Sequence, residues 1–310
     1  MDGQISEIPD TLSKLDGFLK NHESAYDLKP GTEAQIIWAN PSKVQQTEYA
    51  IVYLHGFRAS HPEGDPVHKA IAQKTGCNLY LSRLAEHGIK SEHPLINLTE
   101  ESLLQSAKFS FEIGKRIGKK IILMGTSTGG SLALYLASQE MLKKRISSLI
   151  LYSPLIQFFG IKQQLLTNTS VRKFLALIPG KKHLITNSNS TYAEDRIWNK
   201  KYALGGALSL GAFVQHNMQK KLFKRIDHPV FVGYYFKNKN EQDTVVSVKA
   251  IKKMIKHLDS RTELTRTVNF PDAKSHVICS SLLSKSVGDV IDDTYQFLKD
   301  VGTHRPTETN

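Results

Sequence analysis

The run KKIILMGTSTGGSLALYLASQ, Lys119–Gln139, decides the fold. Lys119–Met124 is a short, continuously apolar stretch after two lysines, the pattern of a strand buried on both faces of a parallel sheet. Gly125–Gly130 is a turn, and Ser131–Lys143 has helical composition. The turn contains G-x-S-x-G centred on Ser127. Between a strand and a helix this pentapeptide has a mechanical reason: the turn is so tight that side chains two before and two after the serine would clash. The serine hydroxyl is then held clear of the sheet, above the first amides of the following helix. A phosphate-cradling loop is the competing reading of a glycine-rich turn, but neither a Walker lysine nor G-x-G-x-x-G accompanies it.

Outward from this unit the same alternation recurs. EYAIVYL (Glu48–Leu54) predicts a buried strand ending at His55-Gly56, and CNLYLSRL (Cys77–Leu84) another, with a helix over Pro66–Thr75 between them. A shorter strand is expected over Ala34–Asn40. Thr99-Glu100-Glu101-Ser102 reads as a helix start, the helix running to Ile117 and closing at Gly118. Ile146–Tyr152 is a strand. The pattern resumes with a strand at Pro229–Phe236, a helix at Val245–Leu258, a strand at Thr262–Phe270 and a helix at Val287–Val301. Strands separated by helices of about a dozen residues mean βαβ units, hence a doubly wound, mostly parallel α/β sheet. The tail from Thr303 is polar and expected to fray.

Between Leu155 and Ile226 the alternation breaks into helical and loop-like sequence with no strong strand. That block holds twelve Lys and Arg against only Glu194 and Asp195, so it carries ten of the net twelve positive charges of the chain. The expected organisation is a core of residues 1–154 and 227–310 interrupted by a basic helical insertion, 155–226. The amphipathic stretch Phe213–Ile226 is a candidate for weak contact with an anionic lipid surface; a solvated lysine-rich exterior is the plainer and favoured reading. Nucleic-acid binding is not expected, because the basic block has no interleaved aromatic platform.

At 310 residues, 40% hydrophobic and 23% charged, the chain can bury a large core without disulfides or metal. Collagen, coiled-coil and disordered classes are excluded. Cys77 and Cys279 make neither a disulfide framework nor a metal cluster, and no cofactor or metal is expected. No run of ~18 apolar residues spans a membrane. The N-terminal stretch lacks the charged start and apolar core of a secretory leader, so the expected location is cytoplasmic, with export or membrane anchoring expected instead if a leader has been trimmed.

A serine needs a base to become a nucleophile. Of twelve histidines, His276 lies on the loop leaving the last expected strand, where the chain returns to the sheet edge that carries Ser127. His257 falls within a helix, His228 before a strand and His304 in the tail. The base in turn needs a carboxylate to fix its tautomer. Asp243, in the loop after PVFVGYYF, gives the chain order Ser127, Asp243, His276; Glu241 and Asp272 are its rivals, and Asp243 could instead serve as a helix N-cap. The oxyanion donors expected are the amides of Thr128 and Phe57. His55 reads as a side chain that holds the Phe57 loop rather than as a base.

These pieces together resemble an α/β-hydrolase-fold serine hydrolase of the carboxylesterase and monoacylglycerol-lipase-like kind. The matching segments are the strand–HGF of 49–57, the strand–GTSTGG of 119–130, Asp243–Val246 and Ser275–Ile278. Ser82–Gly88 (SRLAEHG) is similar to that family's R/K-x-x-G-H-G turn, with Glu86 where the family has glycine. The resemblance implies that 155–226 forms a cap and one wall of an acyl pocket, and that the substrate is a small carboxylic ester. The same three residues would also serve an acyltransferase, an amidase or a C–C hydrolase. A non-catalytic protein of this fold would be expected to lack one of them.

Overall fold

The computed structural model describes residues 7–177, 183–186, 191–258 and 265–303. In chain order the strands are β1 Gln35–Ile37, β2 Thr47–Leu54, β3 Asn78–Leu81, β4 Gly118–Thr126, β5 Ile146–Tyr152, β6 Leu184–Thr186, β7 Lys201–Ala203, β8 Val230–Tyr234 and β9 Thr265–Asn269. The main helices are α1 Leu15–Glu23, α2 Val67–Thr75, α3 Glu100–Ile117, α4 Thr128–Ala137, α5 Thr169–Leu177, α6 Tyr192–Ile197, α7 Leu204–Asn217, α8 Val248–Ile255 and α9 Val287–Asp300.

Seven strands form one sheet in the order β1-β3-β2-β4-β5-β8-β9. All neighbours are parallel except β1 with β3. The central strands alternate their side chains between two buried layers. Val52, Leu54, Ile121, Leu123, Leu149 and Leu151 face α3 and α4. Ile51, Tyr53, Ile122, Met124, Ile150 and Tyr152 face the layer of α2 and α9. With both faces covered, the stretches Ala50–Leu54, Ile121–Met124 and Leu149–Tyr152 are buried and apolar throughout, which is why they read as continuous rather than alternating.

Several boundaries differ from the sequence reading. The helix expected at 131–143 begins at Thr128, directly after Ser127, and ends at Ala137, where Ser138 Oγ bonds the Tyr135 carbonyl; a single turn at Glu140–Lys143 follows. The helix expected from Val245 starts at Val248, because Ser247 is its N-cap and accepts the Ala250 N–H. The strand expected at 262–270 is formed over Thr265–Asn269, residues 262–264 lying outside the described residues, as do His304 and the rest of the tail. The α3 start is as read: Thr99 and Ser102 exchange side-chain and backbone bonds of 3.0 Å. Helix α1 was not anticipated; Leu15 and Leu19 bury its inner face, and Glu23 at its end pairs with Arg83 at 2.6 Å.

Between β5 and β8 the chain leaves the sheet. This excursion does contain strands, against expectation: β6 and β7 pair antiparallel as a two-stranded ribbon. The stretch 213–226 is amphipathic, but its apolar side is consumed by the core. Phe213, Val214, Leu222, Phe223 and Ile226 are buried, while Lys220, Lys221, Lys224 and Arg225 point to solvent. It therefore has no apolar face left for a lipid surface. Among the described residues no helix is long and apolar enough to cross a membrane.

Candidate active site

Among the described residues all six non-glycine residues with left-handed backbone lie beyond the C-terminal ends of parallel strands: Arg58 after β2, Glu86 and Leu95 after β3, Ser127 after β4, Ser153 after β5 and Lys274 after β9. Strain of this kind persists only where the surroundings over-determine it, and it gathers at functional sites. Ser127 sits at φ 54°, ψ −116°. Its N–H donates to Tyr152 O (2.9 Å), and its carbonyl accepts the Leu155 N–H (3.0 Å), so both adjoining segments hold the turn. The flanking glycines are required by space. A Cβ at 125 would lie 2.4 Å from the Gly129 carbonyl carbon, and one at 129 only 1.8 Å from Leu54 O.

Asp243 and His276 come together although they are 33 residues apart: His276 Nδ1 donates to Asp243 Oδ2 at 2.6 Å. The other carboxylate oxygen accepts the N–H groups of Val245 (2.8 Å) and Val246 (3.0 Å). Asp243 thus closes a turn in the backbone, and Ser247 takes the N-cap role. Burial pushes the Asp243 pKa up, but the His276 charge and these hydrogen bonds outweigh it and hold the carboxyl below its ordinary value. Burial likewise disfavours a charged His276, yet Asp243, helped by Glu63, keeps the ring's pKa above its ordinary value. The Nδ1 bond fixes the tautomer whose Nε2 carries a free lone pair. Nε2 is buried and makes no hydrogen bond to a described residue, Ser127 Oγ included.

Ser127 and His276 line one cavity of about 460 Å³, together with Phe57 and Thr128. Thr128 opens α4, so its N–H has no intrahelical acceptor. The rivals to Asp243 lie elsewhere: Glu241 is exposed in a turn with Lys237 and Asn238, and Asp272 is exposed. His55 is structural. Its Nε2 accepts the Leu84 N–H (3.0 Å), so Nδ1 carries the proton and donates to the Gly56 carbonyl (2.9 Å). Burial holds its pKa well below the ordinary value, keeping it neutral.

The excursion supplies the opposite wall of the cavity, including Leu155, Phe158, Leu166, Trp198 and Leu210. Two lining residues were not found from sequence: Glu63, in HPEG after the Phe57 loop, and Trp198, whose indole N–H donates to Glu63 Oε2 at 3.2 Å. No local pattern marks either. A cleft of about 530 Å³ between Ala39–Tyr49 and Thr75–Asn78 lies at the opposite, N-terminal ends of β2 and β3, the wrong end of a parallel sheet for a ligand site.

No protein-family model matches the sequence, and no curated protein matches it. Solved structures do. A metagenome-derived lipolytic enzyme matches with 13% identity and a TM-score of 0.67 over 88% of this chain and 99% of its own. The monoacylglycerol lipase of Paleococcus ferrophilus matches with 15% identity and a TM-score of 0.62 over 86% and 98%. A soluble variant of the monoglyceride lipase of Saccharomyces cerevisiae matches with 16% identity and a TM-score of 0.64 over 87% and 91%. At such identities it is the architecture that is shared.

Proposed function

We propose that this chain, whose fold is that of the α/β-hydrolases, cleaves carboxylic esters through an acyl-enzyme on Ser127. The observation that carries the reading is the 2.6 Å Asp243–His276 bond beside a cavity that His276 and Ser127 both line, with His276 Nε2 unpartnered among the described residues. His276 Nε2 takes the Ser127 proton as Oγ attacks the ester carbonyl. Asp243 stabilises the imidazolium that forms. The Phe57 and Thr128 amides receive the tetrahedral oxyanion. Collapse breaks the ester bond, and the imidazolium protonates the departing alcohol. Water, deprotonated by the same ring, then attacks the acyl-enzyme and releases the acid.

A cavity of this size with mostly apolar lining from the excursion suits short- to medium-chain acyl esters or monoacylglycerol-like substrates. In this reading the excursion is a cap. Its outer face carries Ile161 (81% exposed), Phe174 (66%) and Leu177 (84%) beside Lys162, Arg172 and Lys173. These residues, rather than 213–226, are what would meet an anionic lipid surface; co-sedimentation with anionic and neutral vesicles tests that contact. The hydrolase itself is tested with p-nitrophenyl esters of increasing chain length, followed by monoacylglycerols, on wild type and Ser127→Ala. Turnover retained by the variant would sink the assignment.

A further inference from the structure

The cavity holds a second buried carboxylate that the acyl-transfer steps leave idle. Glu63 is 2% exposed and sits in the single turn His61–Gly64. A buried carboxylate is costly unless its oxygens are hydrogen-bonded. Here each oxygen has one donor, and the two donors come from different parts of the molecule. Oε1 accepts the N–H of Gly56, the residue before Phe57. Oε2 accepts the Trp198 indole from the excursion. Gly56 is wedged between this carboxylate and the nucleophile: a Cβ there would stand 3.1 Å from Glu63 Oε1 and 3.3 Å from Ser127 Cβ.

Three further bonds join the same two segments. Asn199 N–H donates to Arg58 O (2.7 Å), Arg58 Nη1 donates to Asn199 O (3.0 Å), and Ser60 Oγ donates to Ile197 O (2.9 Å). The loop that carries Phe57 is therefore sewn along residues 58–63 to residues 197–199 of the excursion, with Glu63 as the anion in the seam.

We infer that Glu63 is a positioning residue: by holding the Gly56 amide and the Trp198 indole on one carboxylate, it fixes the Phe57 N–H where the oxyanion forms and seats the 197–199 wall against it. The inference rests on the Ser127 reading and deepens it, since oxyanion geometry then depends on how the excursion docks. Glu63 also faces His276 and Arg58, with Tyr53 from β2 and Cys279 from the loop after β9. Its negative charge favours the imidazolium. Burial pushes its own pKa up to about 7, with the Gly56 N–H and His276 pulling against that rise.

Glu63→Gln keeps size and one acceptor but removes the charge and presents an NH2 to one of the two N–H donors. With enzyme concentration set by fluorophosphonate titration of Ser127, kcat on p-nitrophenyl butyrate should fall roughly 10–100-fold, as for a displaced catalytic group, while KM hardly moves. The acid limb of kcat/KM should shift to lower pH as His276 loses an anionic neighbour. Trp198→Phe, which removes only the indole donor, should give a smaller kcat loss and leave the limb in place. If wild type neither labels nor turns over, the Ser127 reading falls and takes this inference with it. If wild type is active and Glu63→Gln matches it in kcat and pH limb, the Glu63 inference alone is overturned. Should Glu63→Gln fail to fold, Trp198→Phe decides: reduced kcat at unchanged KM supports the inference, and wild-type kcat overturns it.

Discussion

Leu123 in β4 and Leu177 in α5 are the same side chain in stretches of similar apolar content, yet the first is fully buried and the second is 84% exposed. The difference lies in what fixes the neighbours. Leu123 belongs to a strand whose register is set on both sides, by Val52 of β2 and Leu149 of β5, and helices cover both faces of the sheet. Helix α5 has no buried residue at all. The sheet edge thus supplies a rigid frame for Ser127, Asp243 and His276, whereas the excursion docks on that frame through 197–199 and 204–226 and leaves α5 on the outside. Precise geometry at the chemistry and looseness at the wall are separate properties of separate regions.

The sharpest way to break this division is chemical. Ser127→Ala and His276→Ala should each lower kcat on the order of 10⁴-fold or more while leaving the melting temperature near wild type. Asp243→Asn should cost about as much, because the wrong His276 tautomer would be held. Its two backbone bonds can survive through the amide oxygen, so the fold should persist. A variant that unfolds would mean that the frame and the chemistry are not separable after all.

Next in size is stability. Leu123→Ala empties a closed layer and should cost about 2–5 kcal/mol in chemical denaturation. Leu177→Ala should stay within ~0.5 kcal/mol. Equal losses would mean that α5 is packed against something the chain alone does not show.

The pH dependence separates the two regions in another way. His276 has a raised pKa in the folded state, so its contribution to stability is complete below the unfolded value near 6.5 and is lost as pH rises through the folded value. Activity needs the neutral base and moves oppositely, rising over the same window. Asp243, held low, contributes stability above its ordinary value, lost as pH falls through the folded one. A kcat/KM profile with its acid limb below 6.5 would contradict the Asp243–His276 pairing as drawn.

What could be read from sequence follows the same division. The central strands were visible because burial on two faces forces unbroken apolar runs, and Ser127 because its turn admits only glycine at 125 and 129. His276 and Asp243 were reachable through chain order along the sheet edge. Glu63 was not, since its role depends on Trp198, 135 residues away, and nothing within HPEG distinguishes a buried carboxylate from a solvated one. Within the excursion, β6 and β7 are three residues each, too short for any periodicity to announce them.

The smallest effect expected lies in the SRLAEHG turn, on the framed side of the molecule. Glu86 occupies the position where the related turn has glycine, and its backbone is left-handed at φ 64°. An L side chain there costs about 1–2 kcal/mol, and glycine would relieve that while giving back roughly 0.4–1 kcal/mol through the freer unfolded chain. Glu86→Gly should therefore raise stability by a net ~0.5 kcal/mol, read as a higher urea midpoint at constant slope, with kcat unchanged because Glu86 does not line the cavity. A lower midpoint would mean that the Glu86 side chain makes contacts worth more than its strain, and that the frame around His87 is held by that residue rather than in spite of it.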